Sequence, residues 1–177
     1  MTQFHDNGLA IEALERCLDY RFDSVTADRL DALYTEESRS GDRISLAERE
    51  LGSDATSSAR RIELSHRLAV LALGTGDPPR AFEVLEELLG TEPTHEGALS
   101  LLERLMKAGE SGREPARILD SAYARTSKYE KRQATLFALI RHSDLAEEKV
   151  AFALELGELE ERDLAAPRDA LESYGLA

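Results

Sequence analysis

The chain contains 177 residues, and its excess of Leu, Ala, Glu and Arg favours helix over sheet. Its 35 acidic and 22 basic residues give a net charge of −13, which argues against nucleic acid or an anionic membrane surface as a partner. The composition also excludes a collagen, a disulfide scaffold and a disordered tail of low hydrophobicity, because Cys17 is the only cysteine and 42% of the residues are hydrophobic.

Apolar residues at helical spacing predict five helices in the first half of the chain. Leu14, Cys17 and Leu18 lie on one predicted face of the first helix, so we interpret Cys17 as a small core residue and not as a nucleophile. Residues 52–58, rich in Ser with Gly and Asp, form the most loop-like stretch of the sequence. The predicted helices cover residues 9–22, 27–38, 43–51, 58–74 and 78–89.

Turn chemistry indicates where several helices end and begin. In the segment 74–78, glycine tolerates a positive φ, Asp77 can cap the next helix, and Pro78 fits the first turn of that helix. In the second half, Asp144 followed by Glu147 resembles a capping box. No stretch alternates with period two, so we predict no strands. The predicted helices of the second half cover residues 95–108, 114–126, 129–142, 145–161 and 166–175.

The two halves of the chain resemble each other. Residues 9–20 align on residues 97–108 without a gap, at a shift of 88 residues, and this places Glu15 on Glu103. Similar residues then recur in order at shifts of 88 to 89 residues: Arg29 with Arg117, Tyr34 with Tyr123, Arg61 with Lys149, Leu68 with Leu156, and Phe82 with Leu171.

We therefore predict a first long helical unit within residues 1–96 and a second, truncated unit over residues 97–177. The second copy ends at residue 177, which corresponds to the middle of a helix that the first copy continues to Gly90. We interpret the chain as a segment of a longer array, with a natural terminus as the alternative.

One part of the first copy resembles a known repeat family. Residues 62–95 are similar to a tetratricopeptide repeat (TPR), which is a unit of 34 residues. The residues that carry the resemblance are the small and large apolar positions of the two helices and the closing proline: Leu68, Ala69, Ala72, Ala81, Leu85 and Pro93.

The resemblance implies an all-α fold, a right-handed superhelical α-solenoid of about nine to ten helices in stacked antiparallel pairs, similar to divergent bacterial tetratricopeptide arrays. It also implies a protein-protein interaction scaffold whose concave face binds a peptide or another domain. Runs of carboxylates on the predicted helices favour a solvated face, and a basic partner is the sharper hypothesis. These runs are Glu36-Glu37, Glu86-Glu87, Glu147-Glu148 and Glu158 with Glu160-Glu161.

We assign no catalytic, cofactor-binding or metal-binding residue, and no binding residue. His142, Ser143 and Asp144 are the residue types of a hydrolytic triad, but adjacent residues cannot adopt that geometry, so we interpret the segment as a helix end. Gly74 and Gly76 lack the third glycine of a nucleotide-binding loop. The four histidines have no recognised metal-ligand spacing: His5, His66, His95 and His142. We therefore expect a protein that is not an enzyme and has no cofactor.

Other functions stay open at this point. A regulatory or sensor domain attached to a catalytic domain in a longer parent chain is the main alternative to a scaffold, and a small all-α enzyme is a third. Self-association is a further possibility, because the end of a helical array exposes apolar surface.

Residues 1–6 contain no basic segment followed by an apolar run, and the longest uncharged apolar-rich run, 134–140, is far shorter than the roughly twenty residues of a membrane span. We expect a cytoplasmic protein without a membrane partner.

Overall fold

Ten helices follow one another in the computed structural model, which describes residues 3–109 and 111–177, with the backbone alone for residues 3–6. Helices make up 79% of the described residues, and no strand occurs among them, so the predicted all-α class is confirmed. The helices are α1 (Gln3–Tyr20), α2 (Ser24–Glu36), α3 (Ser40–Leu51), α4 (Ser58–Gly74), α5 (Pro78–Thr91), α6 (Glu96–Ala108), α7 (Glu114–Arg125), α8 (Tyr129–His142), α9 (Ala146–Arg162) and α10 (Pro167–Tyr174).

Three helices begin earlier than the apolar pattern predicts. Helix α1 begins at Gln3 instead of residue 9, α2 at Ser24 instead of residue 27, and α3 at Ser40 instead of residue 43. The start of α2 has a local cause. Asp23 has extended backbone angles, and its carboxylate accepts a hydrogen bond from the Thr26 amide at 2.9 Å, which is the N-cap arrangement. That bond also holds the pKa of Asp23 below its usual range.

Two local predictions are wrong. Helix α9 begins at Ala146 and its N-cap residue is Leu145, whose side chain accepts no hydrogen bond, so Asp144 lies one position too early for a capping box. Cys17 is exposed and does not belong to the core. The buried stripe of α1 runs through Ile11 and Leu18, and Cys17 lies beside this stripe.

The predicted turn chemistry at residues 74–78 is confirmed. Gly76 has a φ of 82°, in the left-handed region that glycine adopts without steric cost. The Asp77 carboxylate accepts a hydrogen bond from the Arg80 amide at 3.2 Å, in the first turn of α5.

By internal contacts the chain divides into an N-terminal unit, Met1–Val84, and a C-terminal unit, Leu85–Ala177, with the boundary inside α5. In the N-terminal unit, α2 packs against α1 and α3, and α3 packs against α4. One apolar cluster joins α1, α2 and α3, and consists of Ile11, Leu18, Ala27, Leu30, Tyr34 and Leu46.

In the C-terminal unit each helix from α6 to α10 packs against the next one along the chain. Its apolar cluster takes residues from α7, α8 and α9, and consists of Ala116, Leu136, Leu139, Leu156 and Leu159. Serial contact of consecutive helices is what short helix–helix connections favour.

A helix-ending motif recurs in both units at an offset of 89 residues. Ser38 and Ser127 have φ values of 56° and 53°. The amide of the next residue donates to the carbonyl of a buried tyrosine, from Arg39 to Tyr34 at 2.8 Å and from Lys128 to Tyr123 at 3.0 Å. This is the Schellman arrangement, which closes a helix with one left-handed residue.

The boundary between the two sequence copies, predicted between residues 96 and 97, stays a prediction. The division inside α5 comes from internal contacts, and it does not test where one copy of the repeat ends. None of the helices in the described part of the chain is long and apolar enough to cross a membrane.

Candidate interaction cleft

The N-terminal unit contains an open cleft of about 270 Å³ between α1 and α3, above α2. All three helices contribute to its lining, which consists of Glu15, Leu18, Asp19, Leu30, Tyr34, Asp42, Ser45, Leu46 and Arg49. The floor is apolar, because Leu18, Leu30 and Leu46 are buried in the core cluster and only their edges line the cleft. Three carboxylates, those of Glu15, Asp19 and Asp42, lie around this floor together with Arg49.

Tyr34 connects the floor of the cleft to its acidic rim. Its hydroxyl donates to Glu15 Oε1 at 2.6 Å, which joins α2 to α1. The guanidinium of Arg39 lies 4.7 Å from the centre of the tyrosine ring, within cation–π distance. Burial and the bond to Glu15 raise the pKa of Tyr34 well above its usual value, so the phenol stays protonated at neutral pH.

Arg39 and Arg49 hold two of the rim carboxylates in place. Arg39 Nε donates to Asp42 Oδ2 at 2.6 Å. Arg49 Nη1 donates to Asp19 Oδ1 at 2.8 Å, and its Nη2 donates to the Leu18 carbonyl at 2.7 Å. Because Leu18 lies in the last turn of α1, Arg49 satisfies a helix-end carbonyl and ties α3 to α1. The rim is therefore ordered by ion pairs that remain partly exposed to solvent.

The equivalent positions in the second copy have the opposite charge. At the offsets of the repeat, Asp19 corresponds to Lys107 and Asp42 to Lys131. Lys131 Nζ lies 2.7 Å from Glu103 Oε1, and Glu103 also accepts a hydrogen bond from Tyr123, as Glu15 does from Tyr34. These two donors lower the pKa of Glu103, with Lys131 as the larger cause.

A second polar arrangement recurs in the two units, between α2 and α3 and between α7 and α8. Arg43 donates to both carboxylate oxygens of Asp31, at 2.9 and 3.2 Å, and Arg132 donates to Asp120 in the same way, at 3.1 and 3.5 Å. Both residues of each pair are shifted by 89 residues between the copies. Burial and bidentate geometry make such pairs determinants of helix register.

A third charged residue contacts each of these Asp–Arg pairs, and the sign of its charge differs between the copies. In the N-terminal unit Arg67 of α4 donates to Asp31 at 3.3 Å, and its Nε and Nη2 atoms are buried without a protein partner. In the C-terminal unit the equivalent residue, Glu155 of α9, accepts from Arg132. The Asp–Arg pair therefore contacts a second cation in the N-terminal unit and a second anion in the C-terminal unit.

The carboxylate runs singled out in the sequence lie outside the cleft lining. Glu86 accepts two hydrogen bonds from Arg117, at 2.7 and 2.8 Å, between α5 and α7. Glu160 departs from the expected solvated face, since it is 1% exposed and accepts from Gln133 at 2.8 Å and from Ser173 at 2.6 Å. Another carboxylate, Glu12 of α1, lies on an exposed helix face, 3.8 Å from the guanidinium of Arg16.

The other residues considered for chemistry have structural positions. His95 caps α6, with its Nδ1 accepting from the Ala98 amide at 3.1 Å. His142 is the last residue of α8, and the Ser143 hydroxyl donates to the Leu139 carbonyl at 2.8 Å, so the interpretation of this segment as a helix end is confirmed. No group of three or more potential metal-binding side chains occurs in the described part of the chain.

Sequence reasoning named none of the cleft residues as a site. The signal that was available is the repeated Glu15 and Tyr34, which recur as Glu103 and Tyr123. A scan of the chain against protein-family models found no match, and a search of the curated proteins found none either.

Proposed function

We propose that the chain is a protein-protein interaction scaffold, built from helix pairs that resemble tetratricopeptide repeats and stack into a right-handed superhelix. The serial contacts of consecutive helices and the recurrence of the same helix endings and polar pairs at 89 residues support this proposal. A repeat of this kind places equivalent surfaces at regular positions, where they can bind an extended partner.

The observation that carries the proposal is the cleft of the N-terminal unit, with an apolar floor and a rim of carboxylates. An extended peptide that presents Lys or Arg beside an apolar residue fits this chemistry. Its cation reaches Asp19 or Asp42, and its apolar neighbour covers the edges of Leu18 and Leu46. The net charge of −13 attracts such a peptide at long range.

The same cleft favours binding over catalysis. The aliphatic hydroxyl in the cleft lining, which would be the candidate nucleophile, is that of Ser45, and its Oγ donates to the Gly41 carbonyl of its own helix at 3.1 Å. The lining contains no histidine that could act as its base. Asp42 pairs with Arg39, just before α3, and Asp19 pairs with Arg49 of α3. We therefore assign the cleft to recognition of a protein partner.

The variant Asp19→Lys with Asp42→Lys tests this function. Lysine stands at both positions in the second copy, as Lys107 and Lys131, but Ala138 replaces Arg49 there, so helical circular dichroism and urea unfolding first establish that the double variant is folded. Random twelve-residue peptides would be displayed and selected on the unaltered protein. We expect enrichment of sequences with Lys or Arg next to an apolar residue, and at least about tenfold weaker binding of those peptides by the variant.

The matched control is Asp54→Lys with Asp144→Lys, which changes two exposed aspartates outside the cleft and gives the same net charge. This control is expected to bind the selected peptides within about twofold of the unaltered protein, because only long-range attraction changes. Selection of no basic peptides, or equal losses in both double variants, would contradict a specific acidic cleft.

A further inference from the structure

The C-terminal unit carries a surface between α6 and α8 at the repeat positions of the acidic cleft. We call it the α6–α8 surface. An ion pair joins its two helices, because Lys131 Nζ of α8 lies 2.7 Å from Glu103 Oε1 of α6. At the offsets of the repeat, the residues that correspond to the cleft lining and are used below are Glu103, Met106, Lys107, Lys131, Ala134 and Ala138.

Three of the four lysines of the chain lie at this surface. Lys107 is in the last turn of α6 and Lys131 is in the first turn of α8. Lys128 directly precedes α8, and its amide donates to the carbonyl of the buried Tyr123 at 3.0 Å. After the bonds from Lys131 and Tyr123, the charge of Lys107 also lowers the pKa of Glu103, so this lysine lies close to the same carboxylate.

The positive charge of this surface is only partly neutralised. Glu103 pairs with Lys131, whereas neither Lys107 nor Lys128 forms an ion pair with a carboxylate in the described part of the chain. Glu130 follows the direction of a different helix face, about 100° around α8 from Lys131. Three lysines therefore stand against one carboxylate, in a chain whose net charge is −13.

The α6–α8 surface also has an apolar floor. In the N-terminal unit Arg49 reaches from α3 to α1, but its equivalent is Ala138, and the equivalent of Ser45 is Ala134. Met106 and Ala138 are half-buried and pack against the apolar cluster of α7, α8 and α9. A methionine side chain adapts to apolar groups of different shapes, so this floor can accept a side chain from a partner.

Lysine suits this surface to binding more than to holding the fold together. The polar pair of the same unit is formed by an arginine, since Arg132 donates to both carboxylate oxygens of Asp120. Lysine is a compact charge on a flexible stem, and Lys107 is exposed to solvent. Because no ion pair with a described carboxylate has to break, the ammonium groups of Lys107 and Lys128 can turn towards an incoming carboxylate.

We propose that the α6–α8 surface binds an acidic peptide segment. An Asp or Glu of the segment contacts Lys107 and Lys128, and an adjacent apolar residue covers Met106 and Ala138. An inorganic anion would use the lysines but leave the apolar floor uncovered. This site goes beyond the proposed binding of a basic peptide, lies within the C-terminal unit, and does not depend on the acidic cleft.

The variant Lys107→Gln with Lys128→Gln tests the site. Lys128 is the N-cap residue of α8 without a side-chain capping bond, so circular dichroism and urea unfolding are expected to stay unchanged. Random twelve-residue peptides would be depleted on this variant and then selected on the unaltered protein. We expect enrichment of Asp or Glu next to an apolar residue, and at least about tenfold weaker binding by the variant in fluorescence anisotropy.

Two control variants separate this site from other effects of charge. Lys149→Gln with Arg168→Gln removes two exposed cations of α9 and α10 and gives the same net charge, so binding within about twofold of the unaltered protein is expected. Asp19→Asn with Asp42→Asn alters the acidic cleft alone and is expected to bind the acidic peptides at least as tightly. Failure of the proposed cleft therefore leaves this result unchanged.

Met106 gives a direct readout in the unaltered protein. The chain has two methionines, so a sample labelled with ¹³C in the methionine methyl groups gives two signals, and Met106→Leu identifies one of them by its loss. Titration with a selected acidic peptide is expected to shift the Met106 signal at the concentrations at which anisotropy detects binding.

Any of four results would overturn the proposal. They are selection of peptides without Asp or Glu, equal losses in the two lysine-containing double variants, a Met106 signal that stays unshifted while the peptide binds, and displacement of the peptide by inorganic phosphate at equal concentration. The last result would show a general anion site that makes no use of the apolar floor.

Discussion

Tyr34 and Tyr123 show how a single repeated residue organises each copy. Each tyrosine is buried, at 5% and 1% exposure, and each donates its hydroxyl to a glutamate of the preceding helix, Glu15 or Glu103. Its own carbonyl closes the helix by accepting from the residue after the left-handed serine. The alignment of the two halves pairs these residues, but no periodicity indicates that a tyrosine and a glutamate of separate helices meet.

The Tyr123 hydroxyl predicts a sensitivity to alkaline pH. Burial and the bond to Glu103 raise the pKa of Tyr123 above its usual value of 10.0. The protonated phenol therefore stabilises the fold fully below about pH 10, and this contribution is lost as the pH rises from 10 towards the raised pKa. Urea unfolding between about pH 9 and pH 11 should show a falling free energy of unfolding.

Tyr123→Phe is expected to lower the free energy of unfolding by about 1 kcal/mol at neutral pH, because one hydrogen bond is lost. It is also expected to make the alkaline decrease shallower, since one titrating phenol is gone. Identical pH slopes for the variant and the unaltered protein would show that this phenol is not linked to folding.

At the scale of helices, neighbouring residues determine where a helix begins and ends. The contacts between helices and loops do not follow from neighbouring residues. The loop between α3 and α4 is predicted by its Gly and Ser content, but the guanidinium of Arg61 holds it by donating to the carbonyls of Leu51, Ser53 and Thr56, at 2.6, 2.7 and 3.2 Å. Such a contact depends on where α4 lies relative to the loop. Helix propensity contains no information about it.

The contact between α9 and α10 gives a prediction of packing. Gly157 is buried in α9, and a Cβ atom placed on it would lie 2.4 Å from Tyr174 Cε1 of α10. Gly157→Ala is therefore expected to lower the free energy of unfolding by about 1–2 kcal/mol, because the displaced ring costs more than the gain in helix propensity.

The first copy provides the compensating change. Its residues at the equivalent positions are Ala69 and Leu85, so Gly157→Ala combined with Tyr174→Leu reproduces the pair of the first copy. We expect the double variant to recover about 1 kcal/mol relative to Gly157→Ala alone, measured by urea unfolding. Additive losses in the two single variants would show that the ring does not fill the space above Gly157.

At the scale of the whole molecule, the net charge of −13 attracts a basic peptide at long range. Raising the salt concentration shortens the Debye length from about 10 Å at 0.1 M to about 3 Å at 1 M, so this attraction weakens.

We therefore expect added sodium chloride to weaken peptide binding to the cleft. Fluorescence anisotropy with a selected peptide measures this effect. If peptide binding were insensitive to salt, the carboxylate rim would not contribute to recognition.

The sequence by itself determined the helical class, the approximate bounds of the helices and the pairing of the two halves, because helix propensity, apolar spacing and turn residues act over a few neighbouring positions. Only the tertiary structure decided that Cys17 faces solvent, that Glu160 is buried, and that Glu15, Asp19 and Asp42 surround one cleft. These properties depend on which side of each helix meets its neighbour. The rotation of a helix about its axis is set by packing against other helices, and a shift of one position moves a side chain by about 100°.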